Sequence, residues 1–243
     1  MKKKPSELKP WLQFFTEEAK QAVLPKESIY QHMVKVNQGN LDSIAINYFQ
    51  NQIPYGKLIE DIDQCAAAFA ELGVKKGDRI AIMAPNVPQY LLAMHAVWKI
   101  GAIEVPANPL YTVPELTVQF NDSGAETVVV MAAFAPKAIA MLQNPDCAVK
   151  RVIAFQLPSG AVELPQVEGL YDFNQLVGTH PNSEPDIEIS MEDPIRLQYT
   201  GGTTGVPKGC VLTNKMVYSM GLRTAIWTTR NYNLVAKDSV VTL

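Results

Sequence analysis

The chain is 243 residues long, 47% hydrophobic, and carries a formal net charge of −3 at pH 7. That length and apolar fraction supply a sizeable core and exclude general disorder, and the slight acidity excludes a broad basic nucleic-acid surface. Cys65, Cys147 and Cys210 are odd in number, scattered and without paired metal spacing, which fits a reducing compartment, so a cytoplasmic protein without disulfides is expected.

Lys2–Lys4 open the sequence, but Glu7, Lys9, Gln13, Glu17 and Glu18 interrupt any apolar run, so no signal peptide is read there. No stretch reaches the length that spans a bilayer. Trp11, Leu12, Phe14, Phe15, Ala19, Ala22 and Val23 recur at helical spacing and predict a helix over Pro10–Leu24. Packing on the body is the plain reading of that helix, and peripheral membrane contact is the sharper one. Ser28 is placed to cap a second helix, Ile29–Val36.

Alternating Ile44, Ile46 and Tyr48 predict a strand over Ser43–Phe49, with Asn51 and Gln52 turning the chain. A helix follows over Gly56–Leu72, stopped by Gly73. Strand and helix then alternate. Arg79–Met83, Ile103–Pro106, Thr127–Met131 and Val149–Phe155 read as strands. Pro88–Ile100, Val113–Asn121 and Pro136–Leu142 read as helices. Leu157–Gly169, rich in Pro and Gly, reads as a surface excursion, Leu170–Val177 as a short helix, and His180 as a solvated loop residue. His95, alone on an apolar helix, reads as structural. This alternation predicts an α/β fold with a largely parallel sheet flanked by helices.

The stretch Leu197–Thr213, LQYTGGTTGVPKGCVLT, carries the chemistry. A strand over Arg196–Tyr199 leads into Gly201, Gly202, Gly205 and Gly209, interleaved with Thr200, Thr203 and Thr204. Glycines let a ligand approach the main chain, and successive free N–H groups form an anion-binding concavity. Threonine hydroxyls add short donors, and Lys208 adds a mobile positive charge. Together these suit a polyphosphate. The order Lys208-Gly209-Cys210 is not the Gly-Lys-Ser/Thr of a helix-opening P-loop, and no GxGxxG is present. A tight hairpin turning at Gly201-Gly202, with Lys208 solvated, is the bland alternative. Cys210 is expected as a small buried residue at a strand start. Asn214 is expected to N-cap a helix running to about Arg230.

YTGGTTGVPKG closely resembles the signature loop of the adenylate-forming superfamily of acyl-CoA synthetases, peptide-synthetase adenylation domains and firefly-type luciferases. Gly201 stands where serine is commoner, as in fatty acyl-CoA ligases. Tyr55 with Gly77-Asp78-Arg79 is similar to the superfamily's first conserved region, and Asn108, Pro109, Tyr111, Thr112 and Glu115-Leu116 to its second. The first looks like scaffold, and the second supports membership only. The resemblance implies that residues 1–243 are the N-terminal part of an AMP-binding domain. The later Pro-x-x-His, Tyr-Gly-x-Thr-Glu and Tyr-x-Thr-Gly-Asp elements and the C-terminal domain with its catalytic lysine are expected in a longer chain, and this stretch alone is expected to be inactive. It further implies ATP, Mg²⁺ and CoA as reactants and a carboxylic acid, a fatty acid above all, as substrate. Lys208 would be the catalytic cation. Thr200, Gly201, Gly202, Thr203, Thr204, Gly205 and Lys208 would bind the phosphates, and the protein ligand of Mg²⁺ would lie past Leu243. An aryl-CoA ligase, a peptide-synthetase domain, a luciferase-like oxygenase and a non-catalytic nucleotide-binding module are the alternatives. Asp238–Leu243 reads as a further strand. An unpaired edge near Val240 and Val241 predicts a homodimer.

Overall fold

The computed structural model describes residues 9–21, 23–24, 26–157, 162–178, 187–200, 207–232 and 241–242. Strands β3 (Arg79–Met83), β4 (Ile103–Ala107), β5 (Ala125–Met131) and β6 (Arg151–Phe155) form the parallel centre of a seven-stranded sheet. β7 (Leu170–Asp172) and β8 (Pro194–Thr200) extend it in parallel, and β9 (Lys208–Thr213) closes one edge antiparallel to β8, giving the order β7-β6-β5-β3-β4-β8-β9.

The central strands are mostly apolar because both of their faces are covered, with Glu104 and Thr127 as buried polar exceptions. Side chains alternate across the sheet. Ile80 and Ile82 join Val129, Ile153 and Phe155 in a core beneath helices α3 (Tyr55–Glu71) and α4 (Pro88–Lys99). Ala81 and Met83 join Val105, Val128 and Val130 in a second core beneath α5 (Val113–Ser123) and α6 (Ala135–Leu142). Ile62, Phe69, Leu116 and Phe120 are fully buried there. Each such side chain contributes roughly 1.5–3 kcal/mol of transfer free energy.

The chain leaves β3 toward α4 on one face and leaves β4 toward α5 on the other. Neighbouring strands whose exits part in this way open a crevice at their carboxyl ends. Local chemistry holds the scaffold around it. Ser28 and Gln31 form a reciprocal cap on α2 (Ile29–Asn37), with Ser28 Oγ accepting from Gln31 N at 3.2 Å. Arg79 donates to the carbonyls of Ser123 and Gly124 at 3.0 Å each, which agrees with a scaffold role for that arginine.

Some sequence expectations are corrected. The N-terminal helix is two pieces, a 3₁₀ turn over Pro10–Phe14 and α1 over Glu17–Gln21, because the chain turns extended at Phe15. The turn between β1 (Ile44–Tyr48) and β2 (Asn51–Pro54) lies at Phe49-Gln50, both at positive φ, while Asn51 and Gln52 are already paired. Leu170–Asp172 is a strand, held by β6, and only Phe173–Gly178 is helix α7. The last helix, α8, spans Asn214–Tyr232. Thr213 caps it, its Oγ1 accepting from Met216 N at 3.3 Å, while Asn214 Nδ2 instead donates to Ser190 O at 3.3 Å. Cys210 is exposed because β9 is an edge strand, and the three cysteines are free thiols. β10 (Val241–Thr242) pairs in parallel with β1, so Val241 has a strand partner on one side. Val240 and His180 lie outside the described residues. Among the described residues no helix is long and apolar enough to cross a membrane.

Candidate functional site

The signature stretch forms the open end of the β8–β9 hairpin. Thr200 and Lys208 face each other as its last cross-strand pair, with Thr200 Oγ1 donating to Lys208 O at 3.5 Å. Lys208 is exposed, and among the described residues no carboxylate pairs with it. Gly201, Gly202, Thr203, Thr204 and Gly205, also expected to hold phosphate, lie outside the described residues. The structure thus brings two of the expected site residues together at one spot. The strand pairing up to Thr200 and Lys208 is that of a hairpin, and its turn lies outside the described residues.

The base of the hairpin is braced by residues that the motif alone does not reveal. Tyr199 pairs across the strands with Gly209, and its ring lies so close that a Cβ on Gly209 would sit 3.0 Å from Tyr199 Cζ. A side chain there would have to push the ring aside by a few tenths of an ångström, so glycine fits best beneath it. The Tyr199 hydroxyl donates to Asp122 at the end of α5. Burial and the Asp122 carboxylate hold that phenol well above its ordinary pKa, so it remains a donor. On the other flank, Lys76 pairs with Asp193 at 2.7 Å, next to the first residue of β8. Burial pushes the Asp193 carboxyl up, but Lys76 and the Ser190 N–H together hold it below the usual value.

Below the hairpin, the crevice at the carboxyl ends of β3, β4 and β8 is a cleft of about 270 Å³. Asn86, Asn108, Gln198, Thr200, Tyr90 and Tyr111 are among its walls, so it is lined by neutral hydrogen-bonding groups rather than fixed anions. Lys137 donates to the carbonyls of Pro109 and Tyr111 at 2.8 Å each, which fixes the wall that follows β4. A hydroxyl in the wall of a neutral polar cleft, with an exposed cation across the strands from it, suits a polyanion whose charge must be offset from one side. Among the described residues no three His, Cys, Asp or Glu side chains are grouped to hold a metal.

A larger cavity of about 580 Å³ lies elsewhere, between α2, α4 and α8, walled by Ile29, Met33, Tyr55, His95, Val217 and Tyr218. It is mostly apolar and does not include the hairpin. His95 packs edge-on against Trp98, and burial lowers its pKa to about 4, so it is neutral at pH 7. It belongs to this packed layer rather than to the cleft, as the sequence suggests.

The family model for the AMP-binding enzyme matches residues 34–243. A long-chain-fatty-acid–CoA ligase of Bacillus subtilis is 28% identical over 242 residues, which cover 90% of this chain and 42% of that protein. A 4-coumarate–CoA ligase of Solanum tuberosum is 33% identical over 150 residues, or 62% of this chain and 26% of that one. The chain thus spans well under half the length of these curated relatives. The crystal structure of a long-chain-fatty-acid-CoA ligase from Archaeoglobus fulgidus matches with a TM-score of 0.72 at 25% identity, over 85% of this chain and 41% of that one.

Proposed function

The chain belongs to the AMP-binding enzyme family and has the α/β fold of acyl-CoA synthetases, and from that premise we propose that it supplies the phosphate-binding part of an ATP-dependent fatty acid–CoA ligase. In the first step the carboxylate oxygen of the acid attacks the α-phosphorus of ATP. The bond to the bridging oxygen breaks, pyrophosphate leaves, and an acyl-adenylate forms. In the second step the thiol of CoA, losing its proton, attacks the acyl carbon, and AMP departs with the carbon–oxygen electron pair.

A carboxylate is a weak nucleophile, so the protein's contribution is alignment and charge stabilisation. Lys208 would offset the charge gathering on the β- and γ-phosphates as pyrophosphate separates. The Thr200 hydroxyl, with those of Thr203 and Thr204 and the amides of Gly201, Gly202 and Gly205, would donate hydrogen bonds to the same oxygens. Mg²⁺ carried by ATP would add neutralising charge. The observation that carries this reading is the cross-strand pair of Thr200, a wall of the neutral polar cleft, with Lys208, which among the described residues has no carboxylate partner.

The long-chain ligase matched over nearly the whole chain supports a fatty acid as substrate, and the 4-coumarate–CoA ligase supports an aryl acid as the second reading. Exchange of labelled pyrophosphate into ATP by the full-length protein, driven by fatty acids of graded length and by 4-coumarate, separates them. Exchange strongest with long acids is expected. Exchange with 4-coumarate alone would move the assignment to an aryl-CoA ligase. ATP binding without exchange for any acid would sink the enzymatic reading in favour of a non-catalytic nucleotide-binding module.

A further inference from the structure

Glu104 is fully buried, and its carboxylate oxygens are taken up by two neighbouring elements. Arg196 approaches as a two-pronged fork, Nε to Oε2 at 2.7 Å and Nη2 to Oε1 at 3.2 Å. The Tyr90 hydroxyl donates to Oε1 at 2.7 Å. Arg196 also lies over the Trp98 ring, 5.6 Å from its centroid, and reaches Met94 Sδ at 3.3 Å. The network therefore ties α4, β4 and β8 together at one point.

Stability alone does not account for it. A buried ion pair is often no more stabilising than an apolar pair of the same volume, because both ions must be desolvated. What an ion pair adds is direction and length. β4 is registered against β3 along a ladder from Arg79–Ile103 to Met83–Ala107. Against β8 it is registered at one rung, and that rung is Glu104–Arg196 itself. A two-residue slip of β8 would carry Arg196 about 7 Å from its partner. An apolar contact there would be non-directional and would tolerate smaller shifts.

We propose that Glu104 and Arg196 are positioning residues, a buried pair that sets how far β8 is advanced along β4 and so where Thr200 and Lys208 stand over the cleft. The proposal rests on the reading of that hairpin as the ATP-phosphate site. Thr200 is four residues beyond Arg196 on the same strand, so a displacement at the pair passes directly to it. Tyr90 is both a partner of Glu104 and a wall of the cleft, so one carboxylate orients the wall and the strand above it.

The test compares the intact protein with Glu104→Gln, Arg196→Met and the double replacement Glu104→Leu/Arg196→Leu. Three quantities are read: Tm, residue-resolved amide hydrogen exchange in 195–200 and 208–213 against that in β3 and β5, and KM for ATP with kcat in pyrophosphate exchange. The single replacements strand one buried partner and lower Tm. The double replacement is expected to restore Tm while hairpin exchange stays about tenfold faster than in the wild type. KM for ATP is expected to stay raised by about tenfold as well, since a small misplacement is enough for that. Hairpin exchange and KM that recover together with Tm would overturn the proposal, because the pair would then only fill space. Should the double variant fail to fold, Glu104→Gln decides: acceleration confined to the hairpin supports the pair as a pin, and uniform acceleration overturns it. If the wild type shows no pyrophosphate exchange with any acid, the ATP reading fails, and the hydrogen-exchange arm still decides the positioning role.

Discussion

The centre of the sheet and its β8–β9 margin are held in different ways. β3, β4, β5 and β6 are joined by continuous parallel ladders and buried on both faces, so non-directional apolar packing sets their place. β9 is exposed over most of its length. β8 still seats Ile195 in the core and pairs with β9 along its length, and to this the margin adds directed contacts: Glu104 with Arg196, Tyr199 with Asp122, Tyr199 over Gly209, and Lys76 with Asp193. The difference teaches where each kind of force is useful. Packing gives a rigid base, and directed polar contacts fix the position of an edge hairpin whose outer strand stays exposed.

This contrast is open to attack at both ends. Phe120→Ala, in the fully buried layer beneath α5, should cost about 3–5 kcal/mol in denaturant unfolding and lower every activity in proportion to folded protein. Lys208→Ala should do the reverse. Its side chain is exposed, so Tm should hold while pyrophosphate exchange falls roughly 10²–10³-fold, the loss typical of one transition-state contact. Unchanged exchange in that variant would remove Lys208 from the site.

His95 probes the layer between α2, α4 and α8. Its folded pKa, about 4, lies below the ordinary histidine value of 6.5, so the unfolded chain binds more protons between those values. Its contribution is therefore fully present above pH 6.5 and is lost as pH falls toward 4, by at most about 3 kcal/mol. His95→Gln should flatten that part of the stability curve, and an unaltered acid slope would show that the histidine is not the group responsible.

Smaller effects are expected at the hairpin base. Gly209→Ala places a methyl 3.0 Å from the Tyr199 ring and should cost about 1–3 kcal/mol, with faster amide exchange confined to β8 and β9. Equal exchange in all strands would deny the hairpin its separate stability. Tyr199→Phe removes the hydroxyl bond to Asp122 and should cost about 1 kcal/mol or less, read as a small shift in the denaturant midpoint.

Much of this was legible in the sequence. The apolar runs at Arg79–Met83 and Thr127–Met131, the cap at Ser28 and the stop at Gly73 depend on neighbours within a few residues, so periodicity and capping chemistry determined them. The glycine- and threonine-rich stretch ending in Lys208 raised the expectation of anion binding through residue type, and pyrophosphate exchange in the Lys208 variant is what decides it. Tertiary structure decided the remainder. Leu170–Asp172 became a strand because β6 lay open beside it, against its local helical pattern. The cap of α8 fell to Thr213 because the Asn214 side chain was drawn to Ser190, 24 residues away. Tyr199 found Asp122 across 77 residues, and Arg196 found Glu104 across 92. Such partners are chosen by strand order and by which helix crosses which face. Those are properties of the whole chain's packing, and no window of sequence around either residue contains them.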